Sequence, residues 1–365
     1  MKGKTAFCRG EAMKFRTVML AGVMVALLIA ASPGPAMAQS VDSTFAGLEA
    51  YERGEFATAA AIWTEEAEAG DVDAAYSVGV LHALGQGIPR NDVEAARWFR
   101  FAADKGHADA LNNLGNYYFE GRGVARDEVE AVRLFRLAAD QGRADARHNL
   151  GFAYASGRGV ARDDAEAVRW FRLAAAQGHL DSQMNLATFL TAGRGAAPDD
   201  VEAAHWLQRA AEQGDAAAEY RLGLYYLEGR GVTRDAVEGA RWLRLAADGG
   251  HVGAQYTLGV MTLEGFGTGP DAAGAARWFR AAAIHGDARA QFNLGLMYVR
   301  GLGVEDDPVR ALMWMRLADS FLSETANQDA AETRDIVAAA MTADQITRAE
   351  EMAGRCRTSG FQDCD

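Results

Sequence analysis

Lysine is nearly missing from this 365-residue chain: after residue 38 only Lys105 remains. The 37 Lys and Arg residues are outnumbered by 50 Asp and Glu, for a net charge of −13. Residues 1–38 hold three Lys, two Arg and one Glu, so losing them would take the charge to −17. Nucleic-acid binding needs clustered cations that displace counterions from phosphates, and so acidic a chain is repelled instead. A polybasic lipid-binding stretch is excluded on the same ground.

Long apolar runs are scarce too. Val18 to Ala31 is the longest, about 14 residues against the roughly 20 that a membrane-spanning helix needs. Lys14 and Arg16 precede it and Ala36-Met37-Ala38 follows, the pattern of a secretory leader cleaved after Ala38. Met13 could open the same leader as well as Met1, and an uncleaved anchor is the alternative. The expected mature protein starts at Gln39 and is periplasmic or secreted, monomeric and without a membrane span. Cysteine is limited to Cys8 in the leader, Cys356 and Cys364. The last two, with Gly360 between them, suit a small disulfide loop in an oxidising compartment. No nearby His or second Cys pair completes a metal site.

What the chain does have is a repeat. Leu114-Gly115, Leu150-Gly151, Leu222-Gly223, Leu258-Gly259 and Leu294-Gly295 keep a 36-residue register, with Val78-Gly79 and Leu186-Ala187 in the other two slots. Seven consecutive units without an insertion are the mark of a stacked helical solenoid, a frame that offers an extended binding surface. In the unit from Ala108 to Gly142, Leu111, Leu114, Tyr118 and Phe119 have helical spacing. Gly121-Arg122-Gly123 stops that helix, Asp127 starts a second one as its cap, and Gly142 ends it. All seven tryptophans fall in second helices: Trp63, Trp98, Trp170, Trp206, Trp242, Trp278 and Trp314. Alanine pairs such as Ala138-Ala139 follow about one turn later, so large rings meet small partners and the tryptophans read as core.

The assembled pattern A-x-x-N-L-G-x-x-Y-x-x-G-x-G-V-x-x-D, then Trp and A-A-x-x-G, resembles the Sel-one-like repeat (SLR) family. The resemblance spans roughly residues 74–319 and weakens from Gln183 to Ala218, where Ala187 replaces glycine. It implies an all-α, right-handed superhelical solenoid of helix-turn-helix repeats related to tetratricopeptide repeats. First helices would line the inner, concave face, and the usual role is protein–protein association, with similar envelope proteins acting as adaptors and regulators. The expected organisation is a leader at 1–38 and a divergent tetratricopeptide-like unit at 44–73. Seven repeats follow over 74–319, then capping helices at 320–365, the last opened by a Thr342–Gln345 capping box.

Chemistry is sparse. The paired loop glycines lack the third glycine of a dinucleotide fingerprint and follow no strand, so they read as turns. Some cysteine-rich relatives are linked to β-lactam hydrolysis, but here the repeats hold no cysteine and Lys105 follows no serine at the Ser-x-x-Lys spacing. His107, His179 and His251 recur in alternate repeats, too far apart to share one ion, and read as loop residues. Acidic doublets such as Asp163-Asp164 sit where second helices begin, which the helix dipole explains. No catalytic residue, cofactor or metal is expected.

Two features remain for binding. Arginine pairs such as Arg97/Arg100 and Arg241/Arg244 lie three apart on second helices, with Glu94, Glu130, Glu166 and Glu238 placed for i,i+3 ion pairs. They form either a solvated face or a ridge for an anionic polysaccharide or cell-wall fragment. The column three residues before the repeat glycine reads Tyr76, Asn112, His148, Met184, Tyr220, Tyr256 and Phe292. Core columns repeat one residue type, whereas this one changes at nearly every step. It is either the specificity column for an envelope protein or peptide, or a position partly buried between repeats. The favoured expectation is a non-enzymatic envelope scaffold. Intact-mass analysis of the exported protein should give a chain starting at Gln39 with Cys356 and Cys364 oxidised. Retained leader mass, or two free thiols, would contradict the respective expectation.

Overall fold

Glycine ends the first helix of each repeat, and a side-chain cap starts the second. In the type unit Ala108–Glu120 stops at Gly121, whose φ of 73° is left-handed and carries no Cβ penalty for glycine. Asp127 then caps Glu128–Asp140, its carboxylate accepting from the Val129 and Glu130 N–H groups at 3.1 and 3.0 Å. The Asp127 N–H donates back to the Tyr118 carbonyl at 2.9 Å, so the loop is tied at both ends.

The computed structural model describes residues 46–318, 328–361 and 363–364. The leader expected over 1–38 lies outside them. Seven hairpins follow in order: Val72–Leu84 with Asp92–Asp104, Ala108–Glu120 with Glu128–Asp140, and Ala144–Ser156 with Asp164–Ala175; then Leu180–Thr191 with Asp200–Ala211, Ala216–Glu228 with Ala236–Asp248, Val252–Glu264 with Ala272–Ala283, and Ala288–Arg300 with Pro308–Leu317. A shorter pair, residues 46–52 and Phe56–Glu68, precedes them. Gln328–Ala339 and Ala343–Thr358 follow and pack on Pro308–Leu317. Every regular element among the described residues is a helix, and the fold is an all-α solenoid of helix pairs with a 36-residue period. The chain forms two compact units, up to His179 and from Leu180.

The repeat glycine is explained by what it faces. A Cβ on Gly115 would sit 2.6 Å from the Phe135 ring, and one on Gly79 2.7 Å from Phe99. Gly151, Gly223, Gly259 and Gly295 press on Phe171, Leu243, Phe279 and Met315 in the same way. Gly47 does so on Trp63, so the shorter N-terminal pair uses the same joint. These partners, and Leu207 opposite the exceptional Ala187 repeat, are at most 1% exposed. They form the deepest column of the core.

That column lies one residue beyond most of the tryptophans, five of which are themselves buried in the core, as their sequence pattern implies. Trp98, Trp170 and Trp242 are 7% exposed, and Trp206 and Trp278 are half-buried. Three of them lie beneath arginines, with the guanidinium carbons of Arg97, Arg169 and Arg241 at 4.6, 4.4 and 4.2 Å from the rings. Trp314 is fully buried in the repeat over which Ala343–Thr358 packs. Similarly, Tyr117 rather than Tyr118 is buried, because it falls three residues after Leu114 on the inward stripe.

Repeats join within each unit through the Gly-Arg-Gly turn. A Cβ on Gly123 would overlap the Asp92 carbonyl, so this loop lies directly on the start of the preceding second helix. Arg122 beside it donates to Asp92 at 2.9 Å and covers the Tyr117 ring at 4.6 Å. Arg158 with Glu128 and Arg230 with Asp200 repeat the clamp at 2.6 and 2.9 Å. A second tie uses the residue four before the glycine. Arg147, Gln255 and Gln291 donate to the carbonyls of Ala139, Ala247 and Ala283, each eight residues back, at 3.3, 3.1 and 3.1 Å. Glu219 fills this slot in the fifth repeat, where a carboxylate has no proton to give Ala211. Burial raises its pKa, and nearby Asp215 adds to the effect.

The C-terminal helix opens with the Thr342–Gln345 capping box. Glu350 pairs with Arg316 of the last repeat at 3.5 Å, and Cys356 is joined to Cys364.

Two substitutions test this packing. Gly115→Ala should lose about 1–3 kcal/mol by overpacking Phe135. Gly354→Ala, on a helix with nothing within 4 Å of the new methyl, should gain about 0.5–1 kcal/mol from propensity alone. Equal shifts in urea unfolding would refute the joint. Glu219→Gln supplies the missing donor and should gain about 0.5–1.5 kcal/mol at pH 7. A raised folded pKa means that protonated Glu219 favours the fold fully below its ordinary 4.5, and that this support is lost as pH rises through the folded value. The advantage of glutamine should therefore shrink near pH 4, and a gain unchanged between pH 4 and 7 would sink the assignment.

Candidate functional site

The first helices carry the residues that vary from repeat to repeat. On Ala144–Ser156 the inward positions are Ala146, Leu150, Gly151 and Ala153. His148, Asn149 and Phe152 fall on one other stripe by their i, i+1, i+4 spacing. Phe152 is 45% exposed.

In the first unit the candidate column is more covered than an open groove would have it. Tyr76 is buried and stacks on His107 with ring centroids 4.6 Å apart. Asn112 is buried and accepts from Asn149 at 2.9 Å, while the same amide reaches Asn116 at 3.2 Å. His148 is half-buried, stacked on His179 at 4.5 Å and tilted against Phe171 at 5.7 Å. In the second unit Met184, Tyr220, Tyr256 and Phe292 are all half-buried. Tyr220 stacks on His251 at 4.4 Å, and Tyr256 lies under Arg289 at 4.2 Å. The column therefore lies partly between repeats, each side chain packing on its neighbour rather than converging on one pocket.

The histidines beneath these rings are helix caps and not plain loop residues. His107 Nδ1 accepts from the Ala110 N–H, and His251 Nδ1 from the Ala254 N–H, each at 3.1 Å. Asp71, Asp215 and Asp287 do the same from the equivalent position at 2.7, 2.8 and 3.0 Å. The alternation of His with Asp in one slot was the sequence signal for this role. With Nδ1 of His107 accepting, its Nε2 is free to donate and lies 3.3 Å from Asp73; Nε2 of His179 lies 3.3 Å from Asp145. The His107 hydrogen bond holds the Asp73 carboxyl below its ordinary range. Burial lowers the His251 pKa, which favours the neutral ring that a cap requires.

More open is the column directly after the repeat glycine, which the sequence reading passed over. It reads Val80, Asn116, Phe152, Thr188, Leu224, Val260 and Leu296. Phe152 and Thr188 are exposed, and all the others except Val80 are half-buried. Phe152 meets Phe119 edge-on at 6.2 Å, and Arg221 donates to Thr188 at 2.9 Å. Arg221 is itself partly desolvated, which lowers its pKa. Its variability matches that of the chosen column, so the same criterion could have found it.

The arginine ridge is largely neutralised. Arg97, Arg133, Arg169 and Arg241 pair with Glu94, Glu130, Glu166 and Glu238 at 2.8, 2.7, 2.8 and 2.6 Å. Arg100 and Arg136 donate to the hydroxyls of Tyr118 and Tyr154 in the next repeat. Among the described residues no group of three or more His, Cys, Asp or Glu gathers as a metal site. None of the described helices is long and apolar enough to cross a membrane.

Comparison with known proteins agrees with this geometry. The Sel1 repeat model matches seven times in succession, at residues 72–107, 108–142, 144–179, 180–215, 216–251, 252–287 and 288–318. No curated protein matches the chain in sequence. Among solved structures, a Sel1 repeat protein from Oxalobacter formigenes is 30% identical, covering 67% of this chain and 96% of its own, with a TM-score of 0.55. The protective antigen c5321 of uropathogenic Escherichia coli, which displays an SLR fold, is 26% identical over 88% of this chain and 85% of its own, also with a TM-score of 0.55.

Proposed function

The chain belongs to the Sel1 repeat family, whose repeats mediate protein–protein interaction, and on that premise we propose that it is a non-enzymatic scaffold of the bacterial envelope. It binds a partner protein or peptide through its first-helix face. One observation carries this reading: the stripe of His148, Asn149 and Phe152 sets an exposed ring among amide groups. Exposed aromatics surrounded by hydrogen-bonding groups are what protein interfaces use as anchors. Within each unit the candidate column, Tyr76 and Asn112 in the first and Met184, Tyr220, Tyr256 and Phe292 in the second, borders the more open column and shapes what it accepts. The leader pattern ending at Ala38 supports action in the periplasm or outside the cell.

The anionic-polymer alternative is weaker because four of the ridge arginines are held by glutamates and two by tyrosine hydroxyls. Phe152→Ala should weaken the partner, recovered by crosslinking from a periplasmic extract, by about tenfold or more, since anchor rings are commonly worth about 2 kcal/mol or more. Its thermal midpoint should hardly move, as the ring is exposed. Arg241→Ala/Arg244→Ala should bind the partner normally at both low and high salt. If Phe152→Ala binds normally and the arginine variant fails, the first-helix face is not the site and the polymer reading replaces it.

A further inference from the structure

Most arginines of this acidic protein are already held by a carboxylate or a tyrosine, so a place that gathers unheld ones stands out. Such a place lies where the loop before Pro308–Leu317 meets the C-terminal helix Ala343–Thr358. An open cleft of about 510 Å³ there is lined by Asp306, Asp307, Arg310, Gln345, Arg348 and Arg355, with apolar neighbours. Its size falls within the range of small-molecule sites, about 300–1,000 Å³.

The polar groups divide into occupied and available. Asp307 is the N-cap of Pro308–Leu317, accepting from the Val309 and Arg310 N–H groups at 3.0 Å, and lies 3.6 Å from the Arg310 guanidinium. Gln345 Oε1 is committed to the capping box, accepting from the Thr342 N–H at 2.9 Å. The side chains of Arg348 and Arg355 have no ion pair or hydrogen bond with any described residue. Beneath them, Arg310 Nε is buried without an acceptor.

Helix electrostatics do not account for the cluster. Arg355 stands in the last turn of its helix, where the dipole favours a cation. Arg348 is in mid-helix, and Arg310 is in a first turn, where the dipole opposes one. Arg348 and Arg355 are two turns apart on one side of the helix, their Cα atoms about 10 Å apart, so their heads can reach into the same cleft. Planar guanidinium forks match the oxygens of carboxylates and phosphates. The walls are held by the Glu350–Arg316 pair and the Cys356–Cys364 bond.

We propose that this cleft binds a small ligand bearing several oxyanion charges of carboxylate or phosphate type. Arg348 and Arg355 grip it, and the Arg310 guanidinium, shared with Asp307, adds positive charge at the floor. Asp306, which has no ion pair among the described residues, repels it from the loop side and so sets where it lies. This site is separate from the first-helix face and does not depend on the scaffold reading.

Isothermal titration calorimetry of the mature chain at low salt, with pyrophosphate and citrate as probes, tests the proposal. Saturable one-site binding is expected for at least one probe, and the tighter of the two identifies the phosphate or the carboxylate type. Arg348→Ala/Arg355→Ala should weaken it by about tenfold or more, as loss of charge-assisted hydrogen bonds implies. Asp306→Asn should tighten it, because a repelling charge is removed. Helicity and thermal midpoint should be unchanged in both, since these side chains are exposed. Arg97→Ala/Arg133→Ala, on the ridge, should bind as the wild type does. Absence of saturable binding to either probe overturns the proposal, as does normal binding by the cleft variant or an equal loss in the ridge variant.

Discussion

A glycine pressed against a buried side chain closes six of the seven repeat hairpins of this protein and the shorter pair before them. A methyl group at Gly115 or Gly151 would enter the ring of Phe135 or Phe171, so the two helices approach to a distance that only glycine permits. The ring in turn fills the space that the alanine pairs leave open, and both are fully buried. The joint survives variation that keeps its volume. Leu243 and Met315 replace the ring opposite Gly223 and Gly295, and where Ala187 replaces the glycine its counterpart is the smaller Leu207. Close packing makes such paired changes necessary, because neither an extra methyl nor a void is tolerated cheaply.

Once each hairpin is closed, charge links it to the next. Arg122, Arg158 and Arg230 reach back to first-turn acids of the preceding repeat, and Arg100 and Arg136 reach forward to tyrosine hydroxyls. A chain so poor in lysine uses arginine here for good reason: its planar fork can stack on a ring and pair with a carboxylate at once. Arg122 does both, over Tyr117 and onto Asp92. A high arginine count therefore describes the internal fastening of the solenoid more than its affinity for polyanions. The arginines left over at the C-terminal cleft are informative because most of the others are engaged.

The same division separates core from surface on the first helices. Positions that meet the second helix hold nearly one residue type, with Val78 and Ala187 the exceptions, since the joint dictates their volume. The positions flanking them answer to the neighbouring repeat or to solvent, and they vary. Tyr76 and Tyr220 vary within the limits set by stacking on a histidine cap, and His148 within those set by stacking on His179. Phe152 carries no such duty, and at 45% exposure it is open to a partner.

Much of the architecture was legible in the residues alone. The period, the helix pairs, the Gly121 stop, the Asp127 cap, the Thr342–Gln345 box and the Glu–Arg pairs all depend on contacts a few residues apart. Spacing along one chain is enough to specify them. The rest needed the tertiary structure. That Phe135 and not the tryptophan column is deepest, that His107 caps a helix beneath Tyr76, and that Asn112 is covered while Phe152 is not, are decided by which residues of the next repeat lie on top. Exposure belongs to the stack and not to the helix: identical positions in successive repeats gain or lose solvent according to a neighbour 36 residues away, and no local pattern encodes that cover.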